Sequence, residues 1–384
     1  MRTSTLTLGV ITLAIGMAAA VPVMAQDTIK IGVTSGFTGP AAFYGKHQRW
    51  GVELAVAEIN AKGGVLGKKI ELVFEDNRCN PAEAVKAVNA LVNDHKVVSI
   101  LGALCSSATL AALPVVKRAE VPLITSSSTA ASITDQIGDK VNRWGFRSTI
   151  GDDGMAYAMV AHLKKEGVKK VGIVGEDNDY GRGGAEIFAK ALKAAGMEVT
   201  STDFVNPTSP DFTAILTKLK ATKPDRIAAY FTSTPLTAFF RQYEAARVGI
   251  PGTGRLLLDV IVKAVTPEFV AAGGLDGSTS TNPYSPEIDT PANKAFVEKF
   301  KKHAGEEPNQ PSFMIYEAMY TLAQAIAKAG TPTPAAIRDA LRQVSYPSIM
   351  GKTIGFDESH QVKNNAVVNA VKGGKIIVLG MAEG

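Results

Sequence analysis

Short apolar runs alternate with amphipathic stretches along almost the whole chain, and this limits the possible folds more than any other feature. Ile29–Thr34 predicts a strand, and Tyr44–Ala61 then predicts a helix with Trp50, Leu54, Ala57 and Ile59 on its apolar face. Gly63-Gly64 supplies the stop. Ile70–Glu75 predicts a second strand. Asn80-Pro81 opens the next helix, because Asn caps well and Pro is tolerated in a first turn. Val97–Leu101, Ser106–Arg118 and Pro122–Thr125 continue as strand, helix and strand. Repeated βα units of this kind imply a parallel sheet with helices on both faces.

The pattern then restarts. Helices are predicted at Asp152–Glu166, Gly184–Ala195, Asp211–Ala221 and Leu236–Val248, with strands at Val171–Val174, Val199–Phe204, Ile227–Phe231 and Leu256–Leu258. Three more helices follow at Pro291–His303, Ser312–Lys328 and Pro334–Val344. The chain ends in strand-like segments at Thr353–Phe356, Ala366–Val371 and Lys375–Leu379. The fold class is therefore α/β, with two doubly wound, Rossmann-like lobes. Crossings between them are expected near Arg147, Ser280 and Met350–Gly351. A length of 384 residues leaves ample material for two cores.

Residues 1–25 read as an address. Arg2 is followed by an almost unbroken apolar run from Leu6 to Ala20, and Val23-Met24-Ala25 has the small-x-small form of a cleavage site. A signal peptide is expected, the alternative being an uncleaved anchor. No Cys follows the cleavage site, so no lipid anchor and no stable membrane insertion of the mature chain are expected. The net charge of +5 is mild and carries no basic block, which argues against a nucleic-acid protein. Cys79 and Cys105 are the only cysteines. Both follow predicted strands in the exported portion, where an oxidising compartment favours a disulfide over two buried thiols. Neighbouring parallel strands would bring those strand ends together.

Ligands in open α/β sheets sit beyond the carboxyl ends of the strands, so the segments leaving strands carry the functional signal. Phe37–Gly45 combines glycines, which let backbone approach a ligand, with Tyr44 as a candidate wall; a plain turn is the alternative. Leu104–Thr109 places Ser106 and Ser107 at a helix start, where orphan N–H groups and the helix dipole favour a carboxylate; a simple N-cap would look the same. Thr125–Thr129 holds five consecutive hydroxyl residues, including Ser127, Ser128 and Thr129, which would complete a neutral cup; a Ser-rich linker is the alternative. In the second half, Asp177–Gly181 contains Tyr180, and Phe231–Thr234 contains Ser233. Asp259 follows a predicted strand, where an acid would hold an ammonium group or cap a helix.

Ile31-Gly32-Val33 with Gly39-Pro40 and Tyr44-Gly45, the stretch Glu58–Gly67, Cys79 with Leu104–Ser107, Tyr180-Gly181 and Phe240-Arg241-Gln242 together resemble exported solute-binding proteins of the leucine/isoleucine/valine-binding branch. The resemblance covers nearly the whole mature chain. It implies a type I periplasmic binding protein, with lobe one formed by 26–146 and 281–350 and lobe two by 147–280 and 351–384, joined by crossover hinges. It further implies a periplasmic component of an ABC importer that binds a branched-chain or related small amino acid and delivers it to an inner-membrane permease. The alternative ligand is an aromatic or other small carboxylate, or an amide. By the same resemblance Ser106, Ser127 and Thr129 hold the α-carboxylate, Tyr44 and Tyr180 wall the pocket, and Asp259 takes the ammonium. No cofactor and no metal are implied, and a monomer is expected. Thr232-Ser233-Thr234 stands where branched-chain members carry an aromatic-bearing, Gly-rich turn, so the side-chain pocket is left open.

Other function classes fare poorly. The five histidines form no H-E-x-x-H pair, and neither a Gly-x-Ser-x-Gly elbow nor a full phosphate-loop Gly-x-x-x-x-Gly-Lys-Ser/Thr is present. The chain is expected not to be an enzyme. A DNA-binding regulator of this fold would need an N-terminal helix-turn-helix where the leader stands.

Overall fold

β1 (Ile29–Ser35) is buried along its length except at Lys30, which marks it as an inner strand. It pairs in parallel with β2 (Ile70–Asp76) on one side and β3 (Ser99–Leu101) on the other. β4 (Leu123–Thr125) and β5 (Gly145–Arg147) complete a five-stranded parallel sheet in the order β2-β1-β3-β4-β5. The computed structural model describes residues 28–208, 211–363 and 365–383. The expected signal peptide, 1–25, lies outside the described residues.

The helices on this sheet are α1 (Ala42–Ala61), α2 (Pro81–Asn89) and α3 (Ser106–Ala119). Asn80 caps α2, its Oδ1 accepting from the N–H groups of Ala82 at 2.9 Å and Glu83 at 3.1 Å. α4 (Asp152–Lys165) leads into a second parallel sheet. Its strands are β6 (Lys170–Glu176), β7 (Glu198–Val205), β8 (Arg226–Tyr230) and β9 (Gly252–Gly254), in the order β7-β6-β8-β9. α5 (Asp179–Ala194), α6 (Thr213–Thr222) and α7 (Ser233–Ala245) connect them, and α8 (Leu258–Ala264) and α9 (Pro267–Ala271) follow. The two sheets wind by the same rule, the first strand lying inside the second. Each therefore has its topological switch beside its first strand.

β10 (Thr279–Asn282) returns the chain towards the first sheet. α10 (Pro291–Ala304), α11 (Gln310–Ala329) and α12 (Pro334–Leu341) follow. The inner face of α11, including Phe313, Ile315, Ala318, Met319 and Leu322, shares one core with Val52, Ala55 and Ile59 of α1 and with Ile31 and Val33 of β1. The helices cross at Gly51, where a Cβ would sit 2.2 Å from the Ser312 carbonyl oxygen. A short hairpin, β11 (Tyr346–Pro347) with β12 (Thr353–Ile354), precedes β13 (Asn365–Lys372) and β14 (Lys375–Glu383), which form an antiparallel sheet with β10.

Three sequence expectations need correction. The strand expected at Leu256–Leu258 is Gly252–Gly254, with Gly252 in register with Ile227 of β8, and Leu258 opens α8. Leu256 is buried because it folds back over Gly252, where a Cβ would meet it at 2.8 Å, so its apolarity marks a packed loop. α5 begins at Asp179, not Gly184, because Asn178 caps it by accepting from Gly181 N–H at 2.9 Å. α7 begins at Ser233 rather than Leu236.

Candidate functional site

The carboxyl ends of strands from both parallel sheets open onto one cavity of about 520 Å³. On the first-sheet side, Ser106 and Ser107 occupy the first turn of α3. Cys105 at the N-cap makes no side-chain capping bond, so this end keeps N–H groups for an anion. The Ser106 hydroxyl accepts from Ala130 N–H at 3.3 Å.

The loop after β4 splits by side-chain direction. Ser127 and Thr129 line the cavity. Ser127 Oγ accepts from Gln48 Nε2 at 2.9 Å, and Gln48 Oε1 accepts from Ser35 Oγ at 2.8 Å. Ser127 thus keeps its hydroxyl proton for an acceptor in the cavity. The Thr129 hydroxyl is buried and answers the Asp152 carboxylate, and the Asp152 N–H donates to the Thr129 carbonyl at 2.8 Å. Ser128, expected on the wall, instead sits behind it. Its hydroxyl donates to the Leu104 carbonyl at 3.0 Å and lies 2.7 Å from Thr109 Oγ1, so it fastens the two cup loops to each other.

Cys79 and Cys105 form a disulfide with Cα atoms 5.4 Å apart, and both residues line the cavity. Their strands are not neighbours: β1 lies between β2 and β3. The bridge spans the end of β1, and Gly36 makes room for it, since a Cβ there would lie 2.8 Å from the Cys79 sulfur.

The opposite wall comes from the second sheet. Tyr180, on the first turn of α5, lines the cavity and meets Tyr230 edge to face at 6.2 Å. Burial pushes its phenol pKa well up, and Arg255 opposes that shift. Glu176 ends β6 and is buried; its Oε1 accepts from the Thr232 N–H and hydroxyl, and its Oε2 from Asn178 Nδ2 at 2.6 Å. Burial raises its pKa while these bonds lower it. Arg255 follows β9 directly and also lines the cavity. Its Nη1 donates to the Thr281 carbonyl at 3.0 Å, and its Nε lies 3.5 Å from Asp152 Oδ1. Burial raises the Asp152 pKa, against the pull of Arg255, the Thr129 hydroxyl and Arg147. Tyr44, from α1, completes the apolar wall with Leu104, Phe231 and Leu257. The two sides touch at the rim, where Thr234 N–H donates to the Pro40 carbonyl at 3.1 Å.

Of the expected site residues, Tyr44, Ser106, Ser107, Ser127, Thr129 and Tyr180 are brought together on this cavity. Ser233 opens α7 and Asp259 lies in the first turn of α8, but the side chains of both fall outside the described residues. Gln48, Glu176, Asp152 and Arg255 are absent from the sequence expectation. Glu176 stood one residue before the Asp-rich segment singled out, and Arg255 was hidden by the misplaced strand. Among the described residues no group of three or more His, Cys, Asp or Glu side chains could hold a metal ion. Among them, too, no helix is long and apolar enough to cross a membrane.

The family model for periplasmic binding proteins matches residues 28–375. The chain belongs to that family. This periplasmic binding protein is 33% identical over 350 residues to the leucine-, isoleucine-, valine-, threonine- and alanine-binding protein of Pseudomonas aeruginosa, covering 89% of each chain. It is 28% identical over 341 residues to the Leu/Ile/Val-binding protein of Escherichia coli K12, covering 88% of this chain and 89% of the relative. Among solved structures it is similar to the branched-chain amino acid transporter substrate binding protein of Streptococcus pneumoniae in complex with isoleucine, with TM-score 0.83, 26% identity and coverage of 93% and 100%. A solute binding protein of an ABC transporter from R. palustris, in complex with benzoate, shares the fold at TM-score 0.82 and 23% identity, covering 93% and 97%. The architecture is the type I periplasmic binding protein fold, and the family is one of binding proteins rather than enzymes.

Proposed function

We propose that this periplasmic binding protein is the exported solute-binding component of an ABC importer, and that it takes a small carboxylate-bearing molecule between its two lobes and delivers it to an inner-membrane permease. A branched-chain or related small amino acid is the ligand supported by the relatives. The lobes are taken as 26–146 with 281–350 and 147–280 with 351–384, with residues 1–25 as the signal peptide, the periplasm as the compartment and a monomer as the working state.

One observation carries the reading: an uncapped helix start and the hydroxyl-bearing residues Ser106, Ser127 and Thr129 converge on one wall of the cavity. Neutral hydroxyls and N–H groups can hold a carboxylate with charge-assisted hydrogen bonds. Lobe two then adds Tyr180 from across the cavity, and ligand drives closure only through contacts that differ between the open and closed states. The second reading, an aromatic or other small carboxylate, is favoured by the aromatic and aliphatic walls of Tyr44, Tyr180, Phe231 and Leu257.

Thermal-shift and calorimetric titration test this. Protein would first be unfolded, dialysed and refolded to strip bound ligand, then offered the twenty amino acids, short amides and aromatic carboxylates. Ser106→Ala should weaken the responding carboxylate roughly tenfold or more, the size of a hydrogen bond to a charged group. Unchanged affinity in that variant would remove Ser106 from the cup. A response only to molecules without a carboxylate would overturn the reading.

A further inference from the structure

Arg147 is the last residue of β5 and is 3% exposed, at the point where the chain leaves the first sheet for α4. Its guanidinium serves several segments at once. Nη1 donates to the carbonyls of Thr129 at 3.3 Å and Ala130 at 3.0 Å, Nη2 donates to Thr134 Oγ1 at 2.7 Å, and Nε donates to Gln361 Oε1. Its backbone N–H donates to the His360 carbonyl at 2.9 Å. Thr129 and Ala130 continue the loop that carries Ser127 to the cavity, whereas His360 and Gln361 lie between β12 and β13, in the last segment to join the proposed lobes. Asp152, at the start of α4, meets the same loop through its N–H on the Thr129 carbonyl. Its carboxylate faces Arg255, which holds the Thr281 carbonyl in β10. Every segment that joins the proposed lobes is thereby tied to Thr129 and Ala130: the first through Arg147 and Asp152, the second through Asp152 and Arg255, the third through Arg147 and Gln361. A guanidinium suits this place because its rigid, always charged fork holds several acceptors in fixed directions. Gly151 leaves it room, since a Cβ there would lie 3.0 Å from Arg147 Nη2.

We infer that Arg147 is a positioning residue that couples the ligand cup to the segments joining the lobes, so that a ligand seated on the loop after β4 sets how the lobes close. This rests on the ligand-binding reading above and adds how that site controls closure. Hinge segments absorb backbone rotation as lobes move, whereas the carbonyls of Thr129 and Ala130 move only with the cup. A ligand that orders the cup therefore fixes the anchor of all three segments. That ordering is the difference between open and closed states through which it biases closure.

Gln361 gives the test. Gln361→Leu removes the acceptor on the third segment and leaves every bond from Arg147 to the cup loop in place, while Gln361→Glu keeps an acceptor for Nε. The Gln361 amide also donates to the Ser359 carbonyl at 3.3 Å, a bond that both variants lose, so the contrast between them isolates Arg147. Stripped wild-type protein and both variants would be titrated with leucine, isoleucine, valine and benzoate. Calorimetry reads affinity, stopped flow reads dissociation, and small-angle scattering reads compaction on binding. Gln361→Leu should weaken each probe that the wild type binds by roughly 5- to 150-fold, the usual span of coupling between sites, chiefly through faster dissociation. It should also need correspondingly more probe to compact, and Gln361→Glu should recover most of the loss. A residue that only braces the fold would lower the urea midpoint of Gln361→Leu and leave affinity, dissociation rate and compaction at wild-type values. That result would sink this inference and leave the transport reading standing, as would a Gln361→Glu protein no better than Gln361→Leu. Wild-type protein that binds none of the four probes would overturn the ligand class proposed above and this inference together.

Discussion

Gln48 lies behind the cup, yet the direction of Ser127 depends on it. Its amide accepts from Ser35 and donates to Ser127, bridging the end of β1 to the loop after β4. Gln48→Leu would keep the volume and strand both hydroxyls. The expected cost is about 1–3 kcal/mol of stability, with weaker carboxylate binding, read by denaturant titration and calorimetry. An unchanged midpoint and unchanged affinity would show that Ser127 needs no support. Glu317 of α11 makes a different kind of residue-level prediction. It is fully buried, accepting from the Ser348 hydroxyl and Ile349 N–H, both at 2.8 Å, and burial pushes its pKa up to about 7. Between its ordinary 4.5 and about 7, the folded chain holds a proton that the unfolded chain has lost. Raising the pH through that window therefore favours unfolding. Glu317→Gln should flatten this slope and stabilise the protein at pH above 7, checked by urea midpoints on either side of the window.

At the scale of elements, two close approaches carry much of the fold. Gly51→Ala would drive a Cβ into the Ser312 carbonyl, where the neighbour is backbone and cannot swing aside. Overpacking of this kind costs typically about 1–3 kcal/mol, and a thermal melt would register it. The Cys79–Cys105 bridge closes a separation of 26 residues. Losing it should cost about 3–4 kcal/mol on the chain-entropy estimate. Since both cysteines line the cavity, the Cys79→Ser, Cys105→Ser double variant should also bind ligand more weakly. A stable double variant with full affinity would reduce the bridge to an ornament of the rim. These elements also show what the sequence discloses and what it conceals. The cap of α2 is legible because Asn80 and Pro81 act within their own turn. β9 is not, because Gly252-Thr253-Gly254 carries no apolar run and is marked as a strand only by its pairing with β8. Misplacing that strand displaces the strand end, and with it Arg255. Gln48 is concealed for a related reason: its partners stand 13 and 79 positions away, so its role exists only once the sheet has formed. Hydroxyls at strand exits are legible as a group, whereas only the fold separates Ser127, which faces the cavity, from Ser128, which faces the loop behind it.

At the scale of the whole molecule, ligand and fold are linked by mass action. Ligand at about 100 times its dissociation constant should add roughly 2.7 kcal/mol to a protein that binds only when folded. The rise in melting temperature should vanish for probes that do not enter the cavity.

The joining of α1 to α11 has a consequence for how the protein is made. Ile31, Val33 and the inner face of α1 belong to one core with a helix that ends at Ala329 of a 384-residue chain. During synthesis from the amino end, that apolar face has no native cover until most of the chain exists. Domains tend to fold as soon as their parts are available, and here the parts of the first lobe are withheld almost to the last. A chain bound for another compartment, as proposed here, would thereby keep its leading lobe open and threadable while it is carried through a membrane, and seal it only on the far side, where its two thiols can also be joined.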